Sequence, residues 1–423
     1  MAGAFSYNIK LDLSGLKTIY WPLVFLMMAR YFGLSEKVIF FIVVATIVYM
    51  MGIYKKVILP RISGLWFYGA VVIVGIAMGL ILNGTRNLAR DIFYIIPTIA
   101  IMVLGYYIER INSKDKYSML NTMILYGGLI SVMSFIKAIS TFGTLSTFDG
   151  IRACFGRNSI YEVSIVFCIL FYKKIIKREI CISKWIDRVL GLFMTIQIVL
   201  CLGRTALIQT AATIIIMFLW LILKNIDLKR NVKKALGFVG VVVVSIIILS
   251  RVMPQSTWDE LTSKFQASAE EIDSSQTFES TEDAMDNWRG YEIEQAKKQW
   301  KNNSLVYELV GEGLGKGVKI TYVPYTWVNV VDNGEIPILH NGYYTILPKM
   351  GLIGVCALIW LLLSNIVLVL KSDKKFYDDV IILSAITVGM AINTYVLRGP
   401  VSQIAPFTWA LLVGTINCKI RKV

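Results

Sequence analysis

The sequence predicts an all-α fold, a polytopic integral membrane helical bundle of about twelve transmembrane helices with one large extracytoplasmic loop. Hydrophobic residues make up 56% of the 423 positions, far more than a soluble domain of this length needs. They are gathered into stretches that approach the roughly 17–25 residues that a tilted helix needs to cross the hydrocarbon. Short runs of lysine separate these stretches, as is typical of cytoplasmic loops.

Twelve spans follow from the hydrophobic stretches in chain order. They are predicted at residues 16–32, 38–53, 64–82, 92–108, 119–139, 160–172, 189–202, 205–223, 235–249, 351–370, 380–397 and 403–417. The chain is thereby divided into helices 1–9 over residues 1–249, the large loop over 250–350 and helices 10–12 over 351–423.

The placement of positive charge predicts the orientation. With the N-terminus in the cytoplasm, 25 Lys and Arg fall in inside loops, while nine fall in the short outside loops and at outer helix ends. This asymmetry predicts that both termini are cytoplasmic and that the large loop is extracytoplasmic. The formal charge of +15 is therefore explained by topology, and no nucleic-acid partner is expected.

The cysteines and the one histidine exclude two kinds of site. The six cysteines are scattered in or beside apolar segments, so no disulfide framework is expected. They lack zinc-site spacing, and a single histidine makes a His-based metal site improbable. We expect neither a metal nor a cofactor.

Arginine is concentrated on the predicted outer side. Seven of the nine outer cations are arginine, against six of the 25 inner ones. Charge alone sets topology, whereas the planar guanidinium suits bidentate contact with phosphate or carboxylate. The pattern indicates an anion-binding outer surface. The alternative is that some of these arginines pair with interfacial acids or lipid phosphates.

The large loop has an acidic first part, an amphipathic helix predicted at 287–301 and a glycine-rich stretch leading to His340. The glycines at 311, 313, 315 and 317 lack the strand–loop–helix context of a phosphate loop, so a flexible turn near a substrate is the better interpretation. Pro337 and Asn341 predict that a helix begins just after His340. A histidine placed there is a candidate general base, although a lone loop histidine is more often simply solvated or hydrogen-bonded.

Four segments, taken in order, resemble the superfamily of O-antigen ligases and Wzy-type O-antigen or capsular polysaccharide polymerases. They are Arg152-Ala-Cys-Phe-Gly156-Arg157-Asn158, Gly203-Arg204-Thr205, Trp288-Arg289 with the glycines 311–317 behind it, and His340-Asn341-Gly-Tyr-Tyr344 running into Gly351-Leu-Ile-Gly354. The resemblance covers residues 150–370. Before residue 150 the chain is similar only as hydrophobic spans.

The resemblance implies a metal-independent membrane glycosyltransferase of GT-C-like helical build, acting on a glycan carried by undecaprenyl diphosphate. His340 would be the base, and Arg289 and Arg204 would hold the diphosphate. The implied substrate-binding residues are Arg152, Arg157, Asn158, Arg398, Trp288, Asn341, Tyr343 and Tyr344. Implied partners are the lipid-linked donor and acceptor, the lipid bilayer, a chain-length regulator and a flippase.

Three functions remain open. A polymerase would join lipid-linked repeat units, and a ligase would transfer the glycan to lipid A–core. A lipid-linked oligosaccharide flippase or other transporter would have charged residues near the midplane and related halves. The spans are poor in such acids, and flipping does not need a large outer loop, which argues against a transporter. The many outer cations suit two lipid diphosphates or acidic sugars, which favours the polymerase over the ligase.

Overall fold

The computed structural model describes residues 14–54, 58–111, 117–141, 147–156, 159–175, 182–201, 203–224, isolated positions between 232 and 251, 255–266, 278–323, 334–402 and 406–421. The secondary structure of these residues is almost entirely helical. In chain order, the α-helices are α1 (Trp21–Tyr31), α2 (Glu36–Tyr54), α3 (Leu65–Leu82), α4 (Thr85–Ile111), α5 (Ser118–Ser140), α6 (Phe148–Phe155), α7 (Ser159–Ile175), α8 (Lys184–Leu200), α9 (Arg204–Leu223), α10 (Gln255–Gln266), α11 (Thr281–Asp286), α12 (Trp288–Lys301), α13 (Leu305–Val310), α14 (Gly342–Ile366), α15 (Leu368–Lys371), α16 (Tyr377–Val396) and α17 (Phe407–Arg421).

Two short strands and two 3₁₀ turns complete the described secondary structure. The 3₁₀ turns are Ser14–Thr18 and Lys374–Phe376. Strands β1 (Val318–Lys319) and β2 (Glu335–Ile336) pair antiparallel, with Val318 opposite Ile336. Both strands lie between the glycine-rich residues and His340.

Seven helices in the described part of the chain are long and apolar enough to cross a membrane, namely α2, α3, α4, α5, α9, α14 and α16 with the turn before it. Helices α6 and α7 meet at 60° and would add an eighth if they form one span. Every predicted span overlaps one of these helices or α1, α8 or α17, except 235–249, most of which lies outside the described residues. The helical membrane class is thus confirmed, and the count of twelve stays a prediction.

The two ends of the bundle differ in their cations. At one end, the Tyr172 hydroxyl of α7 donates to Asp378 at 3.3 Å, and Lys419 of α17 lies 3.9 Å from Asp379. We call this the lysine end after Lys224, which follows α9, Lys371 at the end of α15 and Lys419 in the last turn of α17. The opposite end, where α9 and α14 begin and α16 finishes, is called the arginine end after Arg152, Arg204, Arg289 and Arg398.

Helix α14 begins nine residues before the predicted span. It continues through Pro348 to a kink at Gly351, whose φ of 61° lies in the left-handed region that glycine tolerates. A break of this kind leaves backbone carbonyls without helical partners. The amides of Glu312 and Gly313 donate to the carbonyls of Pro348 and Lys349, at 2.9 and 3.0 Å. The large loop therefore stabilises the kink.

The glycine-rich segment, residues 311–317, packs closely between α3 and α14. The Leu314 amide donates to the Gly75 carbonyl at 2.8 Å, and a Cβ on Gly313 would overlap the backbone nitrogen of Gly79. Gly313 also has a φ of 89°, which disfavours any residue with a side chain. The expectation of a flexible turn is wrong, because these glycines permit close backbone contact with a neighbouring helix.

A buried ion pair fixes the same segment to α4. Lys349 Nζ lies 2.5 Å from Asp91 Oδ2, and the two side chains are 2% and 1% exposed. Asp91 also accepts the Gly315 amide at 2.7 Å, and Lys349 donates to the Lys316 carbonyl. Charges removed from water are costly unless they are paired and hydrogen-bonded, as both are here. The two residues are far apart in the chain, and no local pattern in the sequence predicts this pair.

Carboxylates from two parts of the loop surround Lys316. Its ammonium lies 3.3 Å from Glu312 and 3.4 Å from Glu335 of β2. Partial burial alone would lower the pKa of Lys316, but the attraction of the two carboxylates outweighs it, and the net effect raises that pKa. The contact between Lys316 and Glu335 thereby holds strand β2 beside the glycine-rich segment.

Candidate active site

Helix α12 carries the central residues of the candidate site and confirms the amphipathic helix predicted at 287–301. Asn287 caps it by accepting the Gly290 amide at 3.1 Å. Ala296 is fully buried in a small apolar cluster with Leu339, and Trp288 packs against that cluster. Helix α12 therefore packs against the segment that leads into His340.

His340 is bound to α12 through Glu292. The carboxylate accepts the His340 backbone amide at 2.7 Å, and both of its oxygens lie 3.1 Å from the ring nitrogen Nδ1. The indole nitrogen of Trp288 donates to the same carboxylate at 2.7 Å. The Glu292 side chain is 1% exposed, whereas the His340 side chain is 24% exposed. The His340 ring thus remains accessible, although the Glu292 carboxylate that binds it is buried.

Asn341 starts α14, which confirms the helix predicted after His340. Its side-chain oxygen accepts the amides of Tyr343 and Tyr344, at 3.0 and 3.2 Å. Its amide nitrogen is buried and has no hydrogen-bond partner within the described ranges. The Tyr343 hydroxyl donates to the Ala391 carbonyl at 3.3 Å, and Lys297 Nζ lies 5.6 Å from the centre of the Tyr344 ring.

Arg398 reaches the same segment from the end of α16. Its Nε donates to the Leu339 carbonyl at 3.2 Å, one residue before His340. A Cβ on Gly342 would lie 2.5 Å from the Arg398 carbonyl oxygen, so only glycine permits this approach. The structure therefore places Arg398 and His340 together.

Two further arginines lie near Tyr161, the third residue of α7. The charges of Arg152 and Arg289 both act on the Tyr161 hydroxyl, which is also hydrogen-bonded to the Thr205 side chain. Arg204 precedes Thr205 and is the first residue of α9. The predicted residues Arg152 and Arg289 therefore lie near the same hydroxyl, and Arg204 directly precedes the residue that binds it.

The histidine and the arginine cluster are joined by α12. Arg289 and Glu292 are three residues apart on this helix, and side chains at that spacing lie on one face with Cβ atoms about 5–6 Å apart. Glu292 holds His340, and Arg289 points to the cluster around Tyr161. The same face of α12 thus carries the residue that binds the imidazole and one of the guanidinium groups, an arrangement suited to proton transfer next to a developing anion.

Other arginines at this end are paired with acids, as the alternative interpretation expected. Arg30 lies 2.8 Å from Glu36 and 3.5 Å from Glu162, which also accepts the Phe407 amide at 2.7 Å. Arg90 lies 3.5 Å from the acid that binds Lys349. The arginines of this end therefore fall into two groups. Arg30 and Arg90 pair with acids, whereas Arg152, Arg289 and Arg398 lie at the candidate site.

Two predicted site residues, Arg157 and Asn158, lie outside the described residues, as does the acidic stretch 267–277. Sequence reasoning missed Glu292 and Tyr161. The spacing of Trp288 and Glu292, one helical turn apart on a predicted amphipathic helix, was the only available signal. Within the described ranges, no three His, Cys, Asp or Glu side chains converge on a possible metal site.

No protein-family model and no curated protein matches this chain. The resemblance to O-antigen polymerases and ligases rests on the four sequence segments. The described structure brings three of those segments, and part of the fourth, to the arginine end.

Proposed function

We propose that the protein is a membrane glycosyltransferase that polymerises undecaprenyl-diphosphate-linked repeat units into O-antigen or capsular polysaccharide. One observation carries the proposal. His340 is bound to Glu292 of α12, which lies one helical turn from Arg289, and Arg289 and Arg152 both lie near Tyr161. A base next to a group of guanidinium cations matches a transfer in which the leaving group is a diphosphate.

His340 would deprotonate the acceptor hydroxyl. The acceptor oxygen then forms a bond to the anomeric carbon of the donor sugar, while the bond from that carbon to the diphosphate oxygen breaks. The electron pair leaves with undecaprenyl diphosphate, and the acceptor proton remains on His340. Arg289 and Arg204 stabilise the charge that develops on the departing oxygen. The activated leaving group removes the need for a protonating acid, unlike in soluble glycosidases with paired carboxylates.

The remaining predicted residues would bind the second phosphate or the acceptor glycan. Those assigned to this role are Arg152, Arg157, Arg398, Asn158, Asn341, Trp288, Tyr343 and Tyr344. The polar atoms of Trp288 and Tyr343 already bind Glu292 and a carbonyl of α16, so only the parts of these rings that packing leaves exposed would stack on sugars. The Asn341 side-chain nitrogen supports a polar contact, since it is buried without a partner among the described residues.

We further propose that the chain has twelve spans, with the lysine end in the cytoplasm and the arginine end outside the inner membrane. The positive-inside rule supports this orientation. Alkaline phosphatase inserted at Asn303, in the turn between α12 and α13, should then be active, and a fluorescent protein fused to the C-terminus should fluoresce. Inactive phosphatase at Asn303, with fluorescence lost at the C-terminus, would indicate the opposite orientation.

The surface glycan of a deletion strain tests the function. Lipid A–core that carries a single repeat unit indicates a polymerase, whereas long chains left on undecaprenyl diphosphate indicate a ligase. An unchanged glycan profile would reject both. In the complemented strain, His340→Ala should abolish chain growth at unchanged protein levels.

Arg289→Lys tests the role of the guanidinium. Lysine keeps the charge but loses bidentate contact, so chain growth should fall about tenfold or more. Arg110→Lys is the matched control, since Arg110 is exposed near the lysine end of α4. Full activity of Arg289→Lys would argue against bidentate binding of phosphate at this position.

A further inference from the structure

The carboxylate of Glu292 faces three nitrogen atoms, the Trp288 indole nitrogen and the backbone and ring nitrogens of His340. One oxygen accepts the Trp288 indole N–H at 2.7 Å, and the other accepts the His340 backbone N–H at 2.7 Å. Both oxygens also face His340 Nδ1 at 3.1 Å. A carboxylate that is 1% exposed would be costly if these donors did not compensate for the lost water.

We propose that Glu292 is a positioning residue that fixes the tautomer and the orientation of the His340 ring, a role that rests on the proposed function of His340 as the base. An ionised carboxylate only accepts hydrogen bonds, so the neutral ring must carry its proton on Nδ1. The other nitrogen, Nε2, is then the basic atom. Glu292 therefore decides which ring nitrogen can accept a proton from the acceptor hydroxyl.

The contacts on the two oxygens make this arrangement rigid. Trp288 packs on the apolar cluster that contains Leu339, and its indole N–H fixes one oxygen from within α12. The His340 backbone N–H fixes the other oxygen at the residue whose ring is being positioned. The carboxylate plane is thus set by two contacts other than the one with the ring, and the ring cannot turn without losing its own contact.

Glu292 also acts after the proton has moved. When Nε2 takes the proton of the acceptor hydroxyl, the ring becomes a cation that still donates from Nδ1 to the carboxylate. The opposite charge stabilises this imidazolium, while Glu292 itself stays ionised. The proton is held at Nε2, and the carboxylate supplies orientation and charge without touching the substrate.

The chain has one histidine, so its tautomer can be read directly. Protein labelled with ring ¹⁵N-histidine and purified without a histidine tag gives one pair of ring-nitrogen NMR signals. At a pH where the ring is neutral, the wild-type protein should show the proton on Nδ1 and an unprotonated Nε2. A proton on Nε2 in the wild-type protein would overturn the proposal, and this measurement needs neither substrate nor a variant.

Glu292→Gln tests the consequence for catalysis. An amide cannot accept from all three donors, because its nitrogen itself donates, so the Nε2-protonated ring should become populated. General-base catalysis contributes about 10²–10⁴-fold, and we expect kcat to fall about 10²-fold while KM changes less than about threefold. Glu292→Asp, which keeps the charge, should recover part of kcat together with the Nδ1-protonated signal.

Glu294→Gln is the matched control, since Glu294 lies on the same helix but pairs with Lys298. It should leave kcat and the tautomer unchanged. A Glu292→Gln protein that folds and keeps full kcat would refute the positioning role. Activity of His340→Ala would instead refute the proposed function, whereas the NMR result on the wild-type ring would still stand or fall by itself.

Discussion

Replacing Lys349 with methionine should strongly destabilise the protein, because it leaves the Asp91 carboxylate buried without its cation. The two side chains are 2% and 1% exposed and lie 2.5 Å apart. Methionine retains most of the length of lysine, so lost volume contributes little. Removing one partner of a buried pair costs about 3–5 kcal/mol, and we expect the free energy of unfolding to fall by that amount.

Lys298→Met is the matched control on the protein surface. Lys298 lies 2.7 Å from Glu294, but its side chain is 60% exposed, and an exposed pair at this helical spacing contributes about 0.3–0.5 kcal/mol. Adding Asp91→Asn to Lys349→Met removes the buried charge and keeps an acceptor for the Gly315 amide, so the double variant should recover at least about 1 kcal/mol. Reversible unfolding in mixed detergent micelles measures all three variants. Equal costs for Lys349→Met and Lys298→Met would refute the reasoning.

Two further predictions concern the same end of the bundle. Gly313→Ala should abolish the monodisperse peak in size-exclusion chromatography, since the left-handed backbone alone costs about 1–2 kcal/mol and the new Cβ would overlap α3. Gly84→Ala, which meets no atom within 4 Å, should leave that peak intact, and equal profiles would contradict the packing. Asn341→Ala should lower the free energy of unfolding by about 1 kcal/mol, because the cap of α14 is lost, whereas Asn341→Asp should retain it. Identical values for these two variants would exclude capping as the role of Asn341.

The spans were predictable because hydrophobic length is a local property. Stretches such as 64–82 and 205–223 correspond to α3 and α9 within a residue or two. The helix that begins after Asn341 was also predictable, because an Asn side chain before a helical pattern can cap the amides that follow it.

The joining of the helix that begins after Asn341 to the span predicted from residue 351 was not predictable from local signals. Pro348 and Gly351 both disfavour a continuing helix. The structure carries the helix back to Gly342, because amides of the glycine-rich segment take up the carbonyls freed at the kink. Those donors lie more than 30 residues away in the chain, and no local pattern reveals them.

The candidate site was predictable in part. His340 and the arginines were identifiable from their residue types, and the structure places His340, Arg398 and the cluster around Tyr161 at one end. Glu292 looks in the sequence like a charge on the solvated face of an amphipathic helix. Its burial depends on how α12 packs against the His340 segment, which is a tertiary property.

Glycan transfer by purified protein tests the central claim most directly. Wild-type protein and His340→Ala, reconstituted in liposomes, would each be given an undecaprenyl-diphosphate-linked repeat unit, and the lipid-linked products would be weighed by mass spectrometry. The wild-type protein should form lipid-linked chains of two or more units and release undecaprenyl diphosphate, and the folded variant should form none. Chains of equal length from both proteins would contradict the assignment of His340 as the base.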